Sequence, residues 1–153
     1  MRTYFLYVLT GVITFWTVLF LFGVSAGFAN YAPILAVIGS CLLFSLASPA
    51  LLLNRRIGLI VGVVCFLMIL PFDIGFTLSI FNDGGVNLGT FLAFIPIILI
   101  LISLIYTIKD FKSGNVEIVK PLKVTLVSIP ILLFILYIAF YGKYWSWEMF
   151  KIH

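Results

Sequence analysis

Residues 86–108 read VNLGTFLAFIPIILILISLIYTI, and this stretch decides the fold because it contains no charged side chain. A helix needs roughly 20 apolar residues to cross about 30 Å of hydrocarbon. Lipid offers the backbone no hydrogen bonds, so a chain that crosses it pairs its own N–H and C=O groups within a helix. The stretch therefore predicts a transmembrane helix.

The rest of the chain repeats this pattern. Short polar segments separate five apolar stretches, which predict transmembrane helices over residues 3–24, 31–53, 57–81, 86–108 and 122–141. Hydrophobic residues make up 64% of the 153 positions and charged residues only 9%, whereas soluble domains carry about 25% charged residues. We therefore expect an all-α integral membrane protein, a single transmembrane domain over residues 1–153 built as a bundle of about five helices.

Arginine and lysine residues indicate the orientation, because positive charges near helix ends are retained on the cytoplasmic side. In a chain with five spans, the basic residues on one side are Arg2, Arg55, Arg56, Lys109, Lys112, Lys120 and Lys123. Those on the other side are Lys143 and Lys151. The pattern predicts a cytoplasmic N-terminus and an external C-terminus in a multi-pass protein of the cell membrane. The richness in isoleucine and phenylalanine suggests the inner membrane of a bacterium.

The first stretch has an alternative interpretation as a cleaved secretory signal, because Arg2 precedes an apolar run that ends in the small residues Ser25 and Ala26. The run is about 20 residues long, however, and a cleaved signal has an apolar region of about 7–15. Trp16 adds further apolar surface to it. We expect this segment to be retained as a helix.

The third stretch contains Pro71 and Asp73, and two shapes are open for it. Proline removes a backbone N–H and kinks a helix, so we favour a helix that is kinked there and continues to residue 81. Beyond Asp73, however, apolar and small residues alternate with the period of two that is typical of strands. With the turn sequence NDGG, residues 74–90 would then interrupt the helix as an external hairpin or a re-entrant loop.

Asp73 is the main candidate for chemistry, because it is the one ionisable residue that the predicted spans place within the hydrocarbon. A proton-coupled carrier needs such a carboxyl, and Pro71 beside it would free a backbone carbonyl. The alternative is an interfacial Asp at the end of a span, since a helix that begins at Ile57 places Asp73 about 24 Å along its axis.

Basic and aromatic residues at the predicted helix ends are weaker candidates. The possible contacts for anionic lipid headgroups are Arg55, Arg56, Lys109 and Lys112. The same charges also serve to set the topology. Trp145 and Trp147, in the C-terminal segment, suit an aromatic belt at the membrane interface or an anchor for a partner protein.

Recognisable catalytic and cofactor motifs are missing from the sequence. The only histidine is His153, so the spans offer no histidine ligands for haem. Cys41 and Cys65 lie in apolar runs without a metal-type spacing. HExxH, GxSxG and phosphate-binding glycine loops are absent, and the scattered basic residues do not form a nucleic-acid patch. We expect no enzyme, no metal or other cofactor and no nucleic-acid partner.

Two functions remain. The predicted helices offer almost no buried polar groups and the loops are short, which favours a non-catalytic protein that acts by contact. It would be an accessory or assembly subunit of a membrane complex, or an immunity-type protector. The alternative is a small oligomeric carrier or channel that uses Asp73 to move a small solute or a proton. The expected partners are the lipid bilayer and either another membrane protein or further copies of this chain.

Overall fold

The computed structural model describes the backbone of residues 1–22, 31–85, 88–112 and 120–141, and nearly all of these residues are helical, with no strand among them. The helices are α1 (Arg2–Phe22), α2 (Tyr31–Leu42), α3 (Ser48–Leu53), α4 (Arg55–Gly84), α5 (Leu88–Phe111) and α6 (Lys120–Tyr141). A π-helical segment, Leu43–Ala47, joins α2 to α3, so that residues 31–53 form one continuous helix.

The all-helical class predicted from the sequence is confirmed, and the helix bounds lie within a few residues of the apolar stretches. Within the described ranges, four helical stretches are long and apolar enough to cross a membrane: Leu35–Leu53, Arg55–Asn82, Leu88–Phe111 and Lys120–Ala139. The first helix, α1, has 21 residues, which corresponds to about 31 Å at a rise of 1.5 Å per residue.

The third stretch is one unbroken helix. Pro71 lies inside α4, which has 30 residues and continues through Asp73 to Gly84. An interruption near Asp73 is therefore wrong, and so is a hairpin or re-entrant loop that begins at residue 74. The kink expected at Pro71 finds no support in the secondary structure, which is α-helical on both sides. Proline costs the helix one hydrogen bond, whereas a strand would leave a whole row of backbone groups unpaired in lipid.

The irregular helical segment lies at residues 43–47. Pro49 has no N–H to offer the carbonyl of Ser45, one turn earlier, and the Ser48 N–H donates instead to the Leu43 carbonyl, five residues back. The Ser45 and Ser48 hydroxyls each donate to a carbonyl four residues earlier, both at 2.6 Å. Such side-chain bonds satisfy carbonyls near a widened turn, which is why the helix passes Pro49 without a break.

The helices pack as a bundle in which α1 contacts α2 and α5, and α4 lies against α2 and α5. Hydrogen bonds from Thr3 to Asp110 and between Thr10 and Ser103 show that α1 and α5 are antiparallel. The bond from Thr77 to the Ala93 carbonyl shows the same for α4 and α5. It follows that α1 and α4 run in the same direction.

Tyr7 occupies the centre of this bundle. Its fully buried ring lies in a cluster with Phe66, Ile69 and Ile100, and so connects α1, α4 and α5. The ring rests on Gly62, where a Cβ atom would lie 2.3 Å from the Tyr7 hydroxyl oxygen. Only glycine therefore fits beneath the ring without a shift in its position.

Candidate functional site

Asp73 lies on the inner face of α4 and is only 4% exposed. Its Oδ2 atom is buried and has no hydrogen-bond partner among the residues that the structure describes. The helix continues from Asp73 to Gly84, a distance of about 16 Å along its axis. The structure places Asp73 inside α4 rather than at its end, and its position relative to a membrane interface stays a prediction.

Polar backbone groups surround the next turn of α4. Thr77 is buried one turn after Asp73 and donates its hydroxyl to the Ala93 carbonyl of α5 at 3.2 Å. Pro96 is also buried in α5, and since proline has no N–H, the Leu92 carbonyl one turn earlier loses its usual helical donor. The contact between α4 and α5 thus holds the Thr77 hydroxyl close to irregular backbone of α5, one helical turn from Asp73.

A row of polar contacts connects α1 to α5 from the other end of the bundle, and we call it the α1–α5 ladder. Its three rungs are Thr3 with Asp110 at 2.5 Å, Tyr7 with Thr107 at 2.8 Å and Thr10 with Ser103 at 2.9 Å. Each rung joins side chains from different helices, and the Tyr7–Thr107 and Thr10–Ser103 rungs are buried in the apolar interior. Unpaired polar groups are costly there, so the ladder fixes the register of α1 against α5.

Thr14 occupies the next position of this row, one turn after Thr10. It is fully buried, and its hydroxyl has no hydrogen-bond partner among the described residues. The ladder therefore ends at Thr10, and Thr14 and Asp73 are left as the two buried side chains whose polar atoms lack a partner in the part of the chain that the structure describes.

The expectation of almost no buried polar groups is wrong. The described residues with buried polar or charged side chains are Thr3, Thr10, Thr14, Ser40, Ser48, Asp73, Thr77, Thr90, Ser103 and Thr107. A signal for the ladder was present in the sequence, because hydroxyl side chains at positions 3, 7, 10 and 14 recur with the spacing of one helix face. This pattern was missed because the residues between these positions are almost all apolar.

An ion pair closes the ladder at one end of the bundle. Arg55, at the start of α4, contacts the Asp110 carboxylate near the end of α5 at 2.8 Å, and its side chain is only 11% exposed. Asp110 also accepts the hydroxyl of Thr3. Sequence reasoning missed Asp110, which it treated as part of a polar loop. Its position three residues after Thr107 on the ladder face was the available signal.

The candidate lipid contacts lie at this same end of the bundle. Arg55 is committed to the Asp110 pair, whereas Arg56, Lys109 and Lys112 are exposed. The Lys109 ammonium lies 5.6 Å from the centre of the Tyr106 ring, a distance that suits a cation–π contact. The structure therefore gathers these four residues at one end and leaves three of them exposed, and their contact with headgroups stays a prediction.

Other predicted features lie elsewhere. Trp145 and Trp147 fall outside the described residues. Lys123, at the start of α6, lines a surface groove together with Leu53, which precedes the ion pair by two residues. Within the described ranges, no group of three histidine, cysteine or acidic residues is placed to hold a metal ion.

Comparison with known proteins supplies no relative for this arrangement. No protein-family model matches the chain, no curated protein matches it, and no solved structure matches it. The site is therefore interpreted from its own geometry.

Proposed function

We propose that this protein is a small multi-pass carrier or channel in which Asp73 takes up and releases a proton inside the helix bundle. The observation that carries the proposal is the burial of the Asp73 carboxyl inside a continuous apolar helix, where it is 4% exposed and one of its oxygens has no partner among the described residues. The transported species is a proton, alone or together with a small solute.

The energetic cost of such a group supports a functional role. Burying a polar group without a hydrogen bond costs a few kcal/mol, and burying a charge costs more. Ionisable residues inside transmembrane helices are rare for this reason, and most of them mark ion or proton pathways. An asparagine or a leucine would serve the packing at position 73 better than an aspartate does.

The charged end of the bundle supports a cytoplasmic N-terminus. Arg55, Arg56, Lys109 and Lys112 lie there around the Asp110 ion pair, and the Thr3 contact with Asp110 brings Arg2 to the same end. Positive charge beside helix ends is retained in the cytoplasm. We propose that this end faces the cytoplasm of a bacterium and that the chain lies in the inner membrane.

Proton movement in proteoliposomes tests the proposed function. The purified protein is reconstituted into vesicles that contain a pH-sensitive dye, and a potassium gradient with valinomycin imposes a membrane potential. We expect proton flux above that of empty vesicles, alone or when pooled small solutes are added, and we expect Asp73→Asn to abolish it. Equal flux in Asp73→Asn and wild type, or no flux from the wild type under either condition, would contradict the proposal.

Action by contact, as an accessory subunit of a membrane complex or an immunity-type protector, is the second candidate, and the position of α6 favours it. Only 11% of the span Lys120–Ala139 is buried inside the bundle. The helix packs along α3 and the π-helical segment and exposes apolar side chains such as Leu132 and Leu136 on its other side. That exposed surface suits a partner helix as well as lipid.

Purification in mild detergent separates the two candidates. A single protein partner that stays bound at fixed stoichiometry, and that is lost when Leu132 and Leu136 are both changed to alanine, would favour the accessory subunit. A homo-oligomer without another protein favours the carrier, because five helices leave little room for a polar path within one copy of the chain.

A further inference from the structure

Two buried polar atoms in this bundle have no hydrogen-bond partner among the described residues, and they belong to different helices. They are Thr14 Oγ1 on α1 and Asp73 Oδ2 on α4, in side chains that are 0% and 4% exposed. Buried polar groups are satisfied in the great majority of cases, and where protein atoms do not satisfy them an ordered water molecule often does.

Thr14 faces the centre of the bundle. It lies seven residues after Tyr7, which is two helical turns, so both side chains leave α1 on the same face. Tyr7 and Thr10 find hydroxyl partners on α5, but one turn beyond Ser103 the buried residue of α5 is Ile100. The Thr14 hydroxyl thus lies in the core, and the buried residue of α5 at the same height is the apolar Ile100.

Asp73 belongs to the stripe of α4 that faces the same core. Gly62, Phe66, Ile69 and Asp73 follow one another at intervals of four, three and four residues, which places them on one side of a helix. Gly62 is in contact with Tyr7, and Phe66 and Ile69 lie in the same buried cluster. The two stripes therefore face each other across the centre of the bundle.

The register of the two helices sets the separation between Thr14 and Asp73. Since α1 and α4 run in the same direction and Tyr7 lies beside Gly62, Thr14 is level with Ile69. Asp73 comes four residues later, about 6 Å further along the axis. The lateral distance between α1 and α4 adds to this axial offset, so the two side chains are too far apart for a direct hydrogen bond, and a connection between them would run through water molecules.

We propose that Thr14 and Asp73 share a buried water site between α1, α4 and α5, and that Thr14 is the positioning residue that holds this water against the carboxyl. The second part rests on the proposed function. A proton that reaches the site as hydronium passes to the Asp73 carboxylate, which becomes a carboxylic acid, and leaves a neutral water bound to the Thr14 hydroxyl. Release is the reverse transfer.

Infrared spectroscopy of the reconstituted protein tests the site. Aspartate labelled with carbon-13 marks the three aspartates of the chain, and subtraction of the Asp73→Asn spectrum assigns the bands of Asp73. Thr14→Val keeps the shape and removes the hydroxyl. We expect the Asp73 carbonyl band to move to higher wavenumber in this variant, because a hydrogen bond is lost, and to return in Thr14→Ser.

Thr10→Val is the matched control, because it removes a buried hydroxyl one turn away that is bonded to Ser103. It should leave the Asp73 bands unchanged. Asp73 bands in Thr14→Val that equal those of the wild type would overturn the proposal. Thr14→Ala replaces Thr14→Val if the valine variant does not accumulate in the membrane, with the same expected shift.

Flux measured on the same variants separates this inference from the proposed function. We expect Thr14→Val to lower proton flux several-fold, Thr14→Ser to restore it and Thr10→Val to leave it near the wild-type level. If Thr14→Val shifts the infrared band while Asp73→Asn leaves flux intact, the water site stands and the proposed function fails. If Asp73→Asn abolishes flux and the Thr14→Val band does not move, the proposed function stands and the water site fails.

Discussion

Asp73 and Thr77 lie one helical turn apart on α4 and are both buried, but they differ in their hydrogen bonding. The Thr77 hydroxyl donates to a backbone carbonyl of α5, whereas one oxygen of Asp73 has no partner in the part of the chain that the structure describes. A side chain kept for stability is expected to be satisfied. One that costs stability is expected at a functional position.

Asp73→Asn is therefore expected to raise the free energy of unfolding, by about 1 kcal/mol, because the amide has the same shape and no charge to bury. Thermal unfolding in detergent, followed by tryptophan fluorescence, measures the change. Thr77→Val is the control and should lower stability, since its hydroxyl is bonded. A clear loss of stability in Asp73→Asn would mean that the carboxyl is a structural group.

Gly62→Ala is expected to destabilise the bundle by about 1–3 kcal/mol, the usual cost of inserting a methyl group into a packed core. The new Cβ would lie 2.3 Å from the Tyr7 hydroxyl oxygen, and Thr107 holds that hydroxyl in place. Gly75→Ala is a suitable control, because a Cβ there meets no atom within 4 Å. Equal unfolding temperatures for the two variants would contradict the packing of Tyr7 on Gly62.

At the scale of helices, the α1–α5 ladder explains how a chain with so few polar residues fixes the register of two apolar helices. Apolar surfaces slide past each other at little cost in lipid, so interhelical hydrogen bonds and small-residue contacts select the position. Each rung joins residues about 100 positions apart in sequence. The ladder thereby places α1 beside α5 and leaves Thr14 buried in the core.

Thr107→Val is expected to lower the free energy of unfolding by about 1–2 kcal/mol, because it leaves the buried Tyr7 hydroxyl without its partner. Unfolding in mild detergent with increasing amounts of sodium dodecyl sulfate measures this change in the free energy of unfolding. In combination with Tyr7→Phe the two losses should be less than additive. The control is Thr125→Val, which removes an exposed hydroxyl bonded within α6. A loss as large in the control would argue against the rung.

The helices were predictable from the sequence, because the bounds of the five apolar stretches agree with the observed helix bounds within a few residues. A helix that continues past Asp73 was the favoured prediction and is observed. The alternation of apolar and small residues after Asp73 has the period of a strand, which is why a hairpin or re-entrant loop was the alternative. Within hydrocarbon the helix is favoured over a strand, because the unpaired backbone groups of a strand edge cost more free energy than one missing helical hydrogen bond. The ladder was missed, because its partners are distant in sequence.

At the scale of the whole molecule, the charged side chains of the described residues lie near helix ends, with Asp73 as the exception. The Arg55–Asp110 pair and the exposed residues Arg56, Lys109 and Lys112 mark one end, and Asn82 lies exposed near the opposite end of α4. This polarity predicts which end meets the cytoplasm. It also places Asp73 about 27 Å along α4 from Arg55, in the half of the bundle away from the charges.

Cysteine labelling checks this orientation. A membrane-impermeant maleimide added to spheroplasts should modify Asn82→Cys and leave Lys112→Cys unmodified until the membrane is broken. The native Cys41 and Cys65 are buried and should contribute little to the signal. Labelling of Lys112→Cys in intact spheroplasts, with Asn82→Cys protected, would reverse the proposed orientation.

The most direct measurement of the central claim is the reaction of Asp73 with dicyclohexylcarbodiimide, an apolar reagent that modifies a carboxyl while it carries a proton. Native membranes are treated, and mass spectrometry locates the adduct. A proton-exchanging Asp73 predicts an adduct on Asp73 and loss of proton flux, with Asp110 spared because its carboxyl is engaged in the ion pair with Arg55. An unmodified Asp73, or full modification with unchanged flux, would contradict the account.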